Sequence, residues 1–105
     1  MAYAYTDILV LKDMLEKAGI PFEFEPLFDG YHICYPRKEL CVCSVIEHLY
    51  SYGASEDLLE INGLLTKKEA EYGDVAGYLT AINVYDRIKY HWDRNKVILK
   101  EVHNL

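Results

Sequence analysis

The chain lacks any apolar run approaching the roughly 18 residues that a membrane-spanning helix requires, which excludes a transmembrane reading. Basic residues are missing from its first segment, Met1-Ala2-Tyr3-Ala4-Tyr5-Thr6-Asp7, so no secretory signal is expected. Cysteine is sparse and odd in number: Cys34, Cys41 and Cys43 suit a reducing compartment better than a secreted disulfide frame. These absences together point to the cytoplasm. The six glycines stand singly at turns and caps, which excludes a phosphate-cradling P-loop or a dinucleotide fingerprint. Positive charge is nearly absent from the middle of the chain. Between Glu39 and Asp86, nine acidic residues face only Lys67 and Lys68, a local net of −7 that disfavours direct contact with nucleic acid.

Tyrosine, by contrast, is abundant, with ten in 105 residues. It buries a large ring yet keeps a hydroxyl that needs a partner or water, so it suits half-exposed strands and protein interfaces alike. The length and the share of hydrophobic residues fit one ordered domain over 1–105, with residues 96–105 as a more loosely attached tail.

Thr6 or Asp7 can cap a first helix, along which Ile8, Leu11, Leu15 and Ala18 recur at helical spacing. Gly19 supplies the left-handed residue after the last turn, Ile20 folds back in a Schellman ending, and Pro21 stops any continuation. Phe22-Glu23-Phe24-Glu25 alternates as a strand with its phenylalanines inward, and Pro26 implies that this strand either frays or lies at an edge. Asp29-Gly30 is a hairpin turn. Tyr31, Ile33 and Tyr35 share one face of the next strand, opposite His32 and Cys34. The run from Leu40 to Tyr50 is the central strand, with Cys41, Cys43, Val45 and Glu47 on one face and Val42, Ser44, Ile46 and His48 on the other. Residues 57–61 fit a short strand or a helical turn, with the strand preferred.

One phrase occurs twice, 14 residues apart: Gly63-Leu64-Leu65-Thr66 and Gly77-Tyr78-Leu79-Thr80. Each reads as a break, an apolar anchor and an N-cap, so each opens a helix. Thr66-Lys67-Lys68-Glu69 is a capping box. After Thr80, Ala81, Tyr85, Ile88 and Trp92 form an apolar stripe that Asn95 could end, while Val97-Ile98-Leu99 and Val102 either continue its periodicity or form an extra strand. The expected fold is therefore α+β: an N-terminal helix, an antiparallel meander of three or four strands, then one short and one long C-terminal helix.

No catalytic constellation emerges. Cys41-x-Cys43 lies in an apolar strand and lacks the tight-turn spacing of a zinc pair, so no metal or other cofactor is expected. Cys43 and His48 fall on opposite strand faces, and nothing marks an environment that would activate a thiol. Glu47 and His48 also face apart. An enzyme would need a scattered site drawn from Glu47, His48 and a cysteine, and that stays as an alternative.

The stretches Cys43-Ser44-Val45-Ile46-Glu47-His48, Tyr52-Gly53, Leu58-Leu59-Glu60-Ile61, Gly63-Leu64-Leu65-Thr66 and Gly77-Tyr78-Leu79-Thr80-Ala81 resemble a small uncharacterised family of proteins. That family occurs in phages, prophages and mobile elements of Gram-positive gut bacteria. The likeness runs from about Leu9 to Trp92. It implies a bacterial cytoplasmic setting and carries no functional residues with it.

The function expected on these grounds is that of a non-enzymatic accessory protein that binds another protein. The contact patch would be the loop after the central strand: Tyr50, Tyr52, Glu56, Asp57 and Glu60. A homodimer formed through a sheet edge or the long helix is equally compatible. The acidic middle keeps open a second reading, a DNA mimic that inhibits a host defence nuclease.

Overall fold

A computed structural model describes residues 4–103; residues 1–3 and 104–105, parts of the first segment and of the expected tail, lie outside the described residues. The fold is α+β, with the order α1 (Asp7–Lys17), β1 (Glu23–Leu27), β2 (Gly30–Arg37), β3 (Leu40–Glu47), β4 (Leu59–Asn62), α2 (Lys67–Ala70), β5 (Val75–Leu79) and α3 (Ala81–His103). The five strands form one antiparallel meander in chain order, so β3 is central, and β1, which holds Pro26, is an edge. The fifth strand was not anticipated. It runs into the second copy of the repeated phrase: Val75, Ala76 and Leu79 pair with β4, Gly77-Tyr78 fall at an irregularity in the register, and Thr80 then opens α3.

Local signals explain most boundaries. Ile20 N donates to Leu15 O and Gly19 N to Glu16 O, which is the Schellman ending that Gly19 permits. Ala18 is the C-cap and is exposed, outside the buried stripe of Ile8, Leu11 and Leu15. Burying each of those three side chains contributes about 1.5–3 kcal/mol. Thr66 and Glu69 complete the capping box, with Glu69 N donating to Thr66 Oγ1 at 3.1 Å and Thr66 N to Glu69 Oε1 at 2.8 Å. At α3, Asn83 N donates to Thr80 Oγ1 at 3.2 Å. Asn95 does not stop this helix; its Nδ2 donates back to His91 O, and Leu99 packs into the core four residues on. No helix among the described residues is long and apolar enough to cross a membrane.

Both long helices lie on one face of the sheet. There Ile8, Leu11 and Leu15 of α1 and Val84, Ile88 and Trp92 of α3 meet Ile33, Tyr35, Cys43, Val45, Leu59 and Ile61. The buried Tyr35 hydroxyl is satisfied by His91 Nδ1 at 2.7 Å. Burial holds that imidazole below its usual range, so it is the neutral acceptor.

Arg87 of α3 clamps α2 through a two-pronged contact with Glu69, at 2.6 and 2.9 Å, and also donates to Leu64 O. The guanidinium pushes the Glu69 carboxyl down to about 2. Its contribution is therefore complete above about pH 4.5, the ordinary value, and is lost as pH falls through about 2. Arg87→Met is expected to cost about 2 kcal/mol in urea denaturation at pH 7, because it leaves a partly buried carboxylate without its partner. At pH 2.5 the difference from wild type should shrink.

Candidate interaction site

The site is assembled where the β1–β2 hairpin tip meets the loop that follows β3. Leu27 pairs with Gly30, so the turn residues are Phe28 and Asp29, one position earlier than expected. Asp29 ties the corner together. Its Oδ1 accepts from Leu49 N at 2.9 Å and its Oδ2 from Tyr5 OH at 2.7 Å. Those bonds, Tyr5 first, hold the carboxyl below the usual range. Phe28 takes φ +55°, a left-handed backbone that costs a bulky residue about 1 kcal/mol or more. Its ring is 71% exposed and meets His48 at 5.0 Å and Tyr50 at 5.3 Å, both edge-on.

Tyr50 and Tyr52 of the expected patch are both exposed, at 71% and 61%. A buried ridge supports them. Ser51 exchanges hydrogen bonds with the His48 backbone, and His48 Nδ1 accepts from Tyr50 N at 3.1 Å. Tyr52 leans on β5, where Tyr78 N donates to Tyr52 O at 3.2 Å, and Tyr78 is itself exposed. Glu56 is exposed at the end of a 3-10 turn spanning Ala54–Glu56. Glu60 sits on β4 and accepts from Tyr52 N at 2.8 Å, so it shapes the loop.

Asp57 is committed to the protein's own framework. Thr6 makes no side-chain cap on α1, and Asp7 sends its carboxylate to Ala81 N of α3 at 2.8 Å. Asp57, about fifty residues away in sequence, does the capping: Oδ1 accepts from Thr6 N at 2.8 Å and from Asp7 N at 3.1 Å, and Oδ2 accepts from the Thr6 hydroxyl. Glu47, wholly buried, accepts from Ile8 N at 3.1 Å. Its other oxygen, Oε2, is buried without a hydrogen-bond partner, although Asp57 stands close enough to act on the carboxyl. Burial first, and Asp57 second, push the Glu47 carboxyl up to about 9, so it is protonated at neutral pH.

No protein-family model, curated protein or solved structure matches this chain.

The alternative chemistries gain little from the arrangement. Glu47 points inward to α1, whereas His48 lies beyond the end of β3 and is bound to Tyr50 N, so the two do not converge. Cys43 is buried in the core, where desolvation pushes its thiol up to about 12. Cys41 is not beside it, contrary to the alternation expected along β3; a bulge turns it to the opposite face. No group of three or more His, Cys, Asp or Glu is placed to hold a metal ion among the described residues. An open groove of about 530 Å³ runs along α3 past Leu64, Leu65, Tyr90 and Arg94. Asp86 also lines it, and three of its polar groups are already engaged: Arg87 by Glu69, His91 by Tyr35, and Asn95 by the His91 carbonyl. The acidic segment is also depleted as a phosphate mimic, since Glu47, Asp57, Glu60 and Glu69 each accept bonds from the protein itself.

Phe28, Leu49 and Tyr78 were not anticipated as part of this surface. The dipeptide Asp29-Gly30 points to a turn one residue later than the one observed, so Phe28 falls outside the expected turn. Leu49 was placed inside the central strand, although β3 ends at Glu47.

Proposed function

We propose that this chain is a small non-enzymatic accessory protein, of the phage or prophage kind its sequence resembles, that acts by binding another protein. The contact is the aromatic corner of Phe28, Leu49, Tyr50 and Tyr52. The observation that carries this reading is Phe28: a large apolar ring held outward on a backbone that disfavours it. Folding gains little from such a residue, whereas an exposed, pre-positioned aromatic is what an interface anchor requires. Exposed Glu56 on the same loop makes an apolar surface with a basic rim the fitting partner.

Two readouts of opposite sign test the proposal. Phe28→Gly relieves the left-handed strain and is expected to raise stability by about 0.5–1 kcal/mol. The same variant should weaken partner capture, and Phe28→Gly with Tyr50→Ala should lower affinity about 30-fold or more, as loss of an anchor does. Capture from a lysate of the source cells, followed by titration of the purified partner, measures both. An unchanged set of captured proteins removes this corner from consideration.

A further inference from the structure

Strict alternation would put Cys41 and Cys43 on the core face together. Instead Tyr35 pairs with Cys43 while Pro36 pairs with Cys41, so Val42 is the extra residue of a bulge and Cys41 swings to the outer face. There it stands on the strand beside Cys34, diagonally across from it, since Cys34 pairs with Ser44 and Cys41 with Pro36, and the two thiols are close enough to influence each other. Cys41 is exposed and Cys34 is buried. His32 stands beside the pair, with Nε2 at 3.3 Å from Cys34 Sγ and 2.7 Å from Ser44 Oγ. Its Nδ1 lies 3.1 Å from Glu25 Oε1, and Glu25 is paired in turn with Lys38. Lys38 first, then His32, keep the Glu25 carboxyl below its usual range. It therefore takes the Nδ1 proton in a hydrogen bond and leaves the Nε2 lone pair directed at Ser44 and Cys34.

We infer that Cys34 and Cys41 are a reversible disulfide pair, with Cys41 the entry thiol, Cys34 the resolving thiol and His32 the base that serves it. This is a modification site on the outer sheet face, separate from the aromatic corner. Access sets the order of events. The exposed Cys41 sulfur is the one that a low-molecular-weight disulfide, R–S–S–R, can reach. Its thiolate attacks one sulfur, the S–S bond breaks, and the departing R–S⁻ takes up the proton that Cys41 gave to solvent. A mixed disulfide, Cys41–S–S–R, remains.

The buried Cys34 thiol is pushed up to about 12, by burial first and then by Cys41, Glu25 and Glu23, so it ionises only with help. His32 Nε2 takes its proton as the Cys34 sulfur attacks the Cys41 sulfur. The S–S bond between the Cys41 sulfur and the R sulfur breaks, and the second R–S⁻ collects the proton from His32. In sum, two protein thiols are oxidised and one R–S–S–R is reduced to two R–SH. Cys43 takes no part, because it lies on the core face and its thiol donates to Gly63 O.

The test uses the whole reduced protein incubated with oxidised glutathione at neutral pH, quenched with acid and read by intact mass and peptide mapping. A transient glutathione adduct on Cys41 should give way to a species lighter by two hydrogens and linked Cys34 to Cys41. Cys34→Ser, or Cys34→Ala, should stall as the Cys41 adduct, and Cys41→Ser should leave Cys34 unmodified over the same interval. His32→Gln should form the adduct at the wild-type rate but resolve it about 100-fold more slowly, the loss expected for a positioned base. A wild-type adduct that persists, or a Cys41–Cys41 link between two copies, overturns the pair. Resolution in His32→Gln at the wild-type rate overturns the role given to His32.

Discussion

Glu47→Ala is expected to lower stability by about 3–5 kcal/mol in urea denaturation at pH 7, and Glu47→Gln by less than about 1 kcal/mol. The contrast follows from the protonated state of this buried group. Glutamine keeps an oxygen to accept from Ile8 N and has an N–H for the side facing Asp57, whereas alanine leaves the Ile8 amide without its acceptor and opens a void in the core. A dependence on pH goes with it. The folded protein holds the Glu47 proton up to about pH 9, while the unfolded chain releases it near 4.5. Between those values the folded state binds more protons, so this contribution is complete below about 4.5 and stability falls as pH rises through about 9. The slope reaches at most about 1.4 kcal/mol per pH unit. Glu47→Gln should flatten it. Because the Glu69–Arg87 clamp acts in the opposite sense at acid pH, the wild-type maximum is expected near pH 4–5, and melting temperatures across a pH series locate it. If Glu47→Gln costs as much as Glu47→Ala, the carboxyl is ionised in the fold and this account is wrong.

The second large effect belongs to Gly30. A Cβ built there would lie 1.9 Å from Glu47 O and 2.8 Å from His48 Cα. Both atoms are backbone, so neither can rotate away, and the hairpin would have to part from the end of β3. Gly30→Ala is expected to cost more than about 4 kcal/mol or to prevent folding outright. Gly19 provides the comparison. It has φ +69°, yet nothing lies within 4 Å of its Cβ position, so Gly19→Ala carries only the conformational cost of about 1 kcal/mol. Denaturation midpoints of the two variants, made side by side, separate close backbone approach from left-handed strain. Equal costs would show that the approach at Gly30 is not as tight as described.

Part of the candidate site was readable from residue type. Tyr50 and Tyr52 follow the central strand in a polar, glycine-containing segment, and exposure there is a local property. The roles of the carboxylates beside them were not readable. Glu56, Asp57 and Glu60 look alike in the chain, but Glu56 faces solvent, Asp57 caps a helix that begins some fifty residues earlier, and Glu60 holds Tyr52 N. Net charge counts all three equally, which is why the acidic segment overstated the surface available to a basic partner.

What the sequence by itself determined are the features written within a few residues of one another. The ending of α1 at Gly19-Ile20-Pro21, the Thr66–Glu69 box, the Thr80 cap and the inward faces of β2 each depend on atoms that neighbouring residues supply, so residue order is enough. Tertiary structure alone decided the rest. β5 is a five-residue strand that exists by pairing with β4, and the bulge that separates Cys41 from Cys43 is set by the register of β2 against β3. Asp57 and Glu47 find the open amides of α1 only after the sheet has carried them there. Strand register and the filling of helix ends by distant side chains are settled by which surfaces pack together, and periodicity along the chain holds no record of that.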